Sequence, residues 1–297
     1  MAKACCPGAC GELIQGWLYG SEKLISCPID WYATVEVEHK SRLTHRAGSK
    51  AYQAFLSTLR FLQQPSDYIH ELAVHVESTI PQSKGMASST ADVAATILAT
   101  ARYFDYDMPA DELAMLCTQV EPTDSTIFSE VTLFDHHRGT VSESYGQIEA
   151  PIPILVLQST IHLNTVDYHH MQRFDKLKSS APQLEKARKL LRSAIQEKDG
   201  ALLAEAATLS AIESQRILPK PLFASLLDIV ERQGLLGINV SHSGSAIGIL
   251  YDEHRHDIEK VVNSIEQVDR LNFYQTRHYQ KLIPGGAHSL FDDANIA

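Results

Sequence analysis

An α+β fold, with a strand-and-helix sandwich in each half of the chain, follows from three observations. Short runs alternate apolar and polar residues with a period of two, and longer stretches carry apolar residues at helical spacing. The two kinds are interleaved along all 297 residues. Most strands are joined by a short turn or a single helix, which is the order of an α+β layer architecture. A composition shift at Pro151 and Pro153, just before the apolar run Ile154 to Gln158, divides the chain into domains at 1–150 and 151–297.

In the first half, Ala33 to His39 sets Val35 and Val37 against Glu36 and Glu38, and Leu72 to Ser78 sets Val74 and Val76 against His75 and Glu77. Each reads as a strand with one wet face. Lys50 to Leu62 and Ser89 to Phe104 carry helical spacing, the second rich in alanine and so able to pack closely. Asp111 to Gln119, after Pro109, is a further helix. In the second half, the strand Ile154 to Gln158 precedes helices at Leu184 to Glu197, Ala201 to Ile217 and Pro221 to Gln233, the last stopped by Gly234. Strands Gly237 to Ser241 and Ala246 to Tyr251 bracket a Gly-Ser turn. A helix over Asp257 to Ser264 and a strand over Asn272 to Arg277 complete the order.

Hydrophobic residues make up 44% of the chain, enough for a sizeable core. Acidic residues outnumber basic ones 36 to 26, a formal charge of -10, so no footprint for nucleic acid or an anionic membrane is present. The N-terminal residues do not form a signal peptide and no run reaches the length of a membrane span, so a cytoplasmic location is expected. Five cysteines, an odd number, argue against a disulfide framework, and Cys5, Cys6 and Cys10 lack the spacing of a zinc site. Their nearness to a glycine-rich segment raises oxidation as a route to inhibition. The pairs His136-His137 and His169-His170 read as surface or loop histidines.

Three glycine-bearing segments carry the chemistry. The first is Pro7-Gly8-Ala9-Cys10-Gly11-Glu12-Leu13-Ile14-Gln15-Gly16; the second is Pro81 to Thr90; the third runs from Ser241 to Gly248 through Ser243-Gly244-Ser245. The second reads as a phosphate cradle. The first N–H groups of a helix have no partner in the helix and, with the aligned peptide dipoles, attract an anion. Gly85 lets the backbone approach, with Met86 and Ala87 next to it in the loop. Ser88, Ser89 and Thr90 offer hydroxyls to phosphate or to a hard cation such as Mg²⁺. Neither a Walker-A nor a Rossmann pattern is present.

In this order the segments resemble those of the superfamily of galactokinase, homoserine kinase, mevalonate kinase and phosphomevalonate kinase, the GHMP kinases. That family has an N-terminal PG segment, a PxxxGLGSS loop around a triphosphate, and a glycine-rich C-terminal segment. Here Met86 and Ala87 stand in place of Leu-Gly. The resemblance implies an N-terminal α/β domain like that of a ribosomal protein and a ferredoxin-like C-terminal α+β domain. It also implies ATP and Mg²⁺ as cofactors and a small-molecule alcohol as acceptor. Within the superfamily the first segment, Ser26 to Trp31 and Glu121-Pro122-Thr123-Asp124-Ser125 are most similar to the L-threonine kinases of cobalamin synthesis, which implies L-threonine as acceptor.

Phosphoryl transfer needs a held triphosphate, a neutralising metal and an oriented hydroxyl, with a base to take its proton. The resemblance gives metal ligation to Glu121 with Ser88 or Ser89, the acceptor hydroxyl to Asp124, and phosphate to Thr90. Pro122 disfavours helix at Glu121, so both carboxylates are expected on a loop. Lys84 is expected to meet phosphate as a point charge. Glu12 would fix the first segment or touch nucleotide, Asp30 would pair with a substrate ammonium, and Ser243, Gly244 and Ser245 would offer backbone N–H groups. Glu130 and Asp135 are alternative metal ligands. Serine or homoserine as acceptor, and a nucleotide-sensing protein without transfer chemistry, are the rival readings.

Overall fold

A computed structural model describes residues 1–39, 49–160 and 174–290. Strands β1 (Ala2–Leu18) and β2 (Ser21–His39) form one long antiparallel hairpin. Tyr19 and Gly20, with φ of 50° and 83°, make the left-handed turn that matches the twist of the flanking strands. The ladder slips between Pro7 and Ala9, between Ala9 and Glu12, and between Glu12 and Ile14. These bulges let a strand run through a segment full of proline and glycine, so the first glycine segment is bent strand rather than loop.

Helix α1 (Lys50–Phe61) starts at Ser49, whose hydroxyl accepts the Tyr52 N–H at 3.2 Å. Helix α2 (Tyr68–Glu71) leads into β3 (Leu72–Ser78), which lies antiparallel along β2 from Ala33 opposite Ser78 to His39 opposite Leu72. Helix α3 (Ser88–Tyr103) packs on β1 and β2, and its buried Ala91, Ala94, Ala95 and Ala99 permit that close approach. After α4 (Ala110–Val120) come a 3₁₀ turn at Ser125–Ile127 and the hairpin of β4 (Thr132–Asp135) and β5 (Thr140–Ser144).

The second half contributes β6 (Ile152–Gln158), α5 (Phe174–Glu197), α6 (Gly200–Ser214), α7 (Phe223–Gln233), β7 (Gly237–Val240), β8 (Ile247–Leu250), α8 (Ile258–Val268), β9 (Thr276–Leu282) and β10 (His288–Leu290). Helix α5 runs back through Pro182 to Phe174, ten residues earlier than Leu184 where the apolar spacing places its start. The last expected strand is also displaced. Asp269 accepts the N–H groups of Phe273 and Tyr274 at 2.8 and 2.7 Å, which turns that segment and delays β9 to Thr276.

Among the described residues ten strands join in the order β10-β1-β7-β8-β6-β9-β2-β4-β5, with β3 against β2. The period of two separates two apolar cores. Ile154 and Val156 of β6 join the core of β1, β2, α3 and α5, while Leu155 and Leu157 join that beneath α7 and α8. Position 150/151 falls between β5 and β6. Because β1 and β2 pair with β7 and β9, strands of both halves meet at Glu12 opposite Val240 and Ile29 opposite Leu282.

Candidate active site

The three glycine segments are packed into one knot. The Ala9 N–H donates to the Met86 carbonyl at 3.0 Å, and the Ser245 and Ala246 N–H groups both donate to the Lys84 carbonyl at 3.2 Å. At Gly85, with φ of +73°, a Cβ would lie 2.8 Å from Gly244 Cα, and at Gly244 one would lie 2.2 Å from the Lys84 oxygen. Backbone meets backbone here, so neither position has room for a side chain. Behind the turn, buried Lys220 donates to the Gly244 carbonyl at 2.5 Å, and burial lowers its ammonium to about 7.

Above the knot opens a cleft of about 640 Å³. Its walls are the 81–87 loop, the start of α3, Ser49 to Tyr52, the 121–124 loop and Ser243-Gly244, with Val74 and Val76 as an apolar side. Val76 thus faces the cleft rather than the core. The residue before α3 is Ala87, which has no capping oxygen, so Ser88, Ser89 and Thr90 are the first three helical residues. That arrangement leaves the first-turn N–H groups without a side-chain cap from Ala87, as an anion site requires. Ala87 holds φ 55° and ψ 20°, the left-handed backbone for which the family pattern has glycine.

The first-turn hydroxyls hold both carboxylates. Ser89 Oγ donates to Glu121 Oε1, and Lys50 Nζ lies 2.5 Å from Glu121 Oε2. Thr90 Oγ1 donates to Asp124 Oδ2 at 3.2 Å and accepts the Asp124 N–H at the same distance. Ser26 and Ser125 exchange hydrogen bonds of 2.8 and 3.1 Å, which anchors the 3₁₀ turn after Asp124 on β2. Burial pushes the Asp124 carboxyl up to about 6, against the pull of His242 and the Thr90 hydrogen bond. Glu12 lies deeper on β1. Burial, then the negative charge of Asp124, raises it well above the carboxylate range despite a hydrogen bond from Ser26.

Of the residues singled out in the sequence, Gly85 to Thr90, Glu121, Asp124, Ser243 and Gly244 line this cleft. Others stand elsewhere. Lys84 is buried and its ammonium donates to the Ser159 carbonyl at 2.7 Å, so it braces the fold rather than facing the cleft. Glu12 is sealed behind the cleft with Oε2 unpartnered. Ser245 is buried in the knot. Asp30 is exposed and accepts the Lys281 N–H at 2.7 Å, pinning β2 to β9. Glu130 takes the Ser144 hydroxyl, and Asp135 takes the Ser21 hydroxyl at 2.6 Å beside Lys23, both outside the cleft.

Cleft residues missed in the sequence are Lys50, Asp92, His136 and His242. Asp92 follows Ser88 by one helical turn, a spacing that would have flagged it. Its Oδ1 is buried with no hydrogen-bond partner, and burial, then the charge of Glu121, pushes the carboxyl up to about 6. The histidines come from distant segments and no local pattern joins them. His136 is buried rather than on the surface, its ring tilted by 40° against that of His137 and edge-on to His242 at 5.0 Å between ring centroids. His242 Nε2 lies 2.9 Å from Glu22 Oε1, both residues buried. His169 and His170 lie outside the described residues.

The five cysteines are free and buried. Burial raises the Cys5 thiol to about 11 and holds Cys6 and Cys10 higher, so none carries the thiolate that an oxidation switch needs. No helix among the described residues is long and apolar enough to cross a membrane.

The family model described as GHMP kinases N terminal domain matches residues 49–129, and that described as GHMP kinases C terminal matches 173–269. An L-threonine kinase of Salmonella typhimurium is 44% identical over 287 residues, covering 96% of this chain and 95% of its own. An L-threonine kinase of Citrobacter freundii is 44% identical, covering 96% and 99%. A crystal structure of mevalonate kinase superposes with a TM-score of 0.69 at 16% identity, over 95% of this chain and 99% of that one. Homoserine kinase from Cytophaga hutchinsonii superposes at 0.69 and 14% identity, over 97% of both; these two likenesses are of fold.

Proposed function

The chain belongs to the GHMP kinases, and on that premise we propose that it transfers the γ-phosphoryl group of ATP to the side-chain hydroxyl of L-threonine, giving O-phospho-L-threonine and ADP. One observation carries the site assignment. Two carboxylates, Glu121 and Asp124, are held on consecutive first-turn hydroxyls of α3, at the mouth of an uncapped helix N-terminus.

In this reading the N–H groups of Ser88, Ser89 and Thr90 and the 85–87 backbone receive the triphosphate. Glu121, with Ser89 or Ser88, would hold Mg²⁺. The unpartnered buried oxygen of Asp92 fits a cation beside them, and the ion neutralises phosphate charge when bound. The threonine Oγ1 attacks the γ-phosphorus as the bond to the β–γ bridging oxygen breaks, and its proton passes to Asp124. A carboxyl at about 6 is ionised at pH 7 and still basic enough to accept that proton. Val74 and Val76 supply an apolar wall suited to the adenine ring. The product fits a cytoplasmic route in which decarboxylation of phosphothreonine yields the aminopropanol phosphate of the cobamide linker.

The test is ADP release from Mg-ATP with L-threonine, L-serine, L-homoserine, galactose or mevalonate. Threonine as the preferred acceptor is expected. Preference for another acceptor moves the substrate, and no acceptor-dependent release on any of the five rejects the kinase reading.

A further inference from the structure

An amino-acid acceptor brings an α-carboxylate into the cleft as well as a hydroxyl, and that anion needs a partner when water is displaced. In a β-hydroxy amino acid the two groups lie within about 4 Å, so the partner must stand close to Asp124. Among the described residues lining the cleft, the side chains able to carry positive charge are Lys50, His136 and His242. Lys50 sits on Glu121 and belongs to the end of the site assigned to metal and phosphate.

The histidines are placed for the other task. The Thr123 N–H donates to the His136 carbonyl at 3.1 Å, which holds His136 beside the loop that carries Asp124. His242 shares the lining of the cleft with Asp124 and with His136. Outside the cleft lining, Glu22 lies against His242 with 2.9 Å between Oε1 and Nε2, so one ring nitrogen is committed to a buried carboxylate and the ring is fixed in orientation. The next residues, Ser243 and Gly244, continue the cleft wall.

We propose that His242, oriented by Glu22 and flanked by His136, is the subsite for the acceptor's α-carboxylate, and that the enzyme therefore selects an amino acid over the amino alcohol that lacks this group. The proposal rests on the amino-acid kinase reading above. His242 and His136 touch substrate in it, and Glu22 is a positioning residue.

The test compares kcat/KM for L-threonine and for 1-amino-2-propanol, its decarboxylated form, in the wild type and in His242→Gln, His136→Gln and Glu22→Gln. A site built around a polar group rejects an analogue that lacks it, so the wild type should favour threonine by about 10³-fold or more. His242→Gln should shrink that ratio to about 10-fold or less, chiefly through the KM for threonine, and Glu22→Gln and His136→Gln should shrink it by about 10-fold. The ratio is taken within one preparation, so a variant that folds less well lowers both values and leaves it unchanged. A wild type with no preference, or variants that keep its ratio, would overturn the subsite while leaving the kinase intact. Because the donor atoms of Glu22, His136 and His242 lie within 4.8 Å of one another, stoichiometric zinc lost in Glu22→Gln and His136→Gln would also overturn it. Turnover of no amino acid would overturn the reading beneath it.

Discussion

At the scale of residues, Asp124 is set by its surroundings more than by its type. Burial raises its carboxyl to about 6 from an ordinary 3.8. The limb of kcat/KM on the acid side should therefore bend near pH 6, with activity lost as pH falls and the base takes up its proton. A profile flat down to pH 5 would remove it from proton transfer. Asp124→Asn should lower kcat by about 10² to 10⁴ and leave ATP affinity within a few-fold, as read by turnover and by nucleotide titration. The same burial makes the contribution of Asp124 to stability depend on pH. Its folded-state pKa lies above the unfolded one, so the folded protein binds more protons between about pH 4 and 6, and the contribution of Asp124 to stability improves as pH falls through that window. Asp124→Asn should thus match or exceed the wild type in Tm at pH 7 and lose that advantage by pH 5. A Tm deficit of the variant at pH 7 would contradict this.

At the scale of elements, the loop before α3 works through two backbone positions. Ala87 occupies the left-handed region where an L side chain crowds the following carbonyl, a cost of about 1–2 kcal/mol that the sequence accepts where its family has glycine. Ala87→Gly should raise stability by about 1 kcal/mol in urea unfolding, after the larger unfolded-state entropy of glycine is deducted, and should keep activity. A loss of stability would mean that the methyl group packs better than it strains. Gly244 marks the opposite limit. A methyl there meets the Lys84 oxygen and the Gly85 nitrogen at 2.2 and 2.3 Å, both backbone atoms that cannot step aside. Gly244→Ala should destabilise the protein by about 1–3 kcal/mol and weaken ATP binding at least 10-fold, measured by unfolding and nucleotide titration. Unchanged binding would show that the second and third glycine segments are not rigidly joined.

At the scale of the whole molecule, much of the fold was legible because its helices and inner strands have a clear period. The strands β3, β6, β7 and β8 and the helices α1, α3, α4 and α7 lie close to where spacing puts them. Of the β1–β2 hairpin only Ala33 to His39 was legible; β1 was not, since its bulges rest on prolines and glycines that locally read as loop. In the site, Glu121, Asp124 and the 85–90 segment were singled out through the resemblance to the GHMP kinases, whereas the contacts that join them, Ser89 to Glu121 and Thr90 to Asp124, span 32 and 34 residues and leave no local signal. Lys84 was misread because nothing local tells which way a lysine turns, and the Ser159 carbonyl that holds it is far along the chain. Glu22, His136 and His242 escaped for the same reason, being joined only by the antiparallel sheet that brings both halves together. Phosphorus NMR of the chain with Mg-ATP and L-threonine should show O-phospho-L-threonine rising in step with ADP, because the assembled cleft passes phosphate to threonine; ADP with free phosphate alone, or an unchanged ATP spectrum, would mean that it does not.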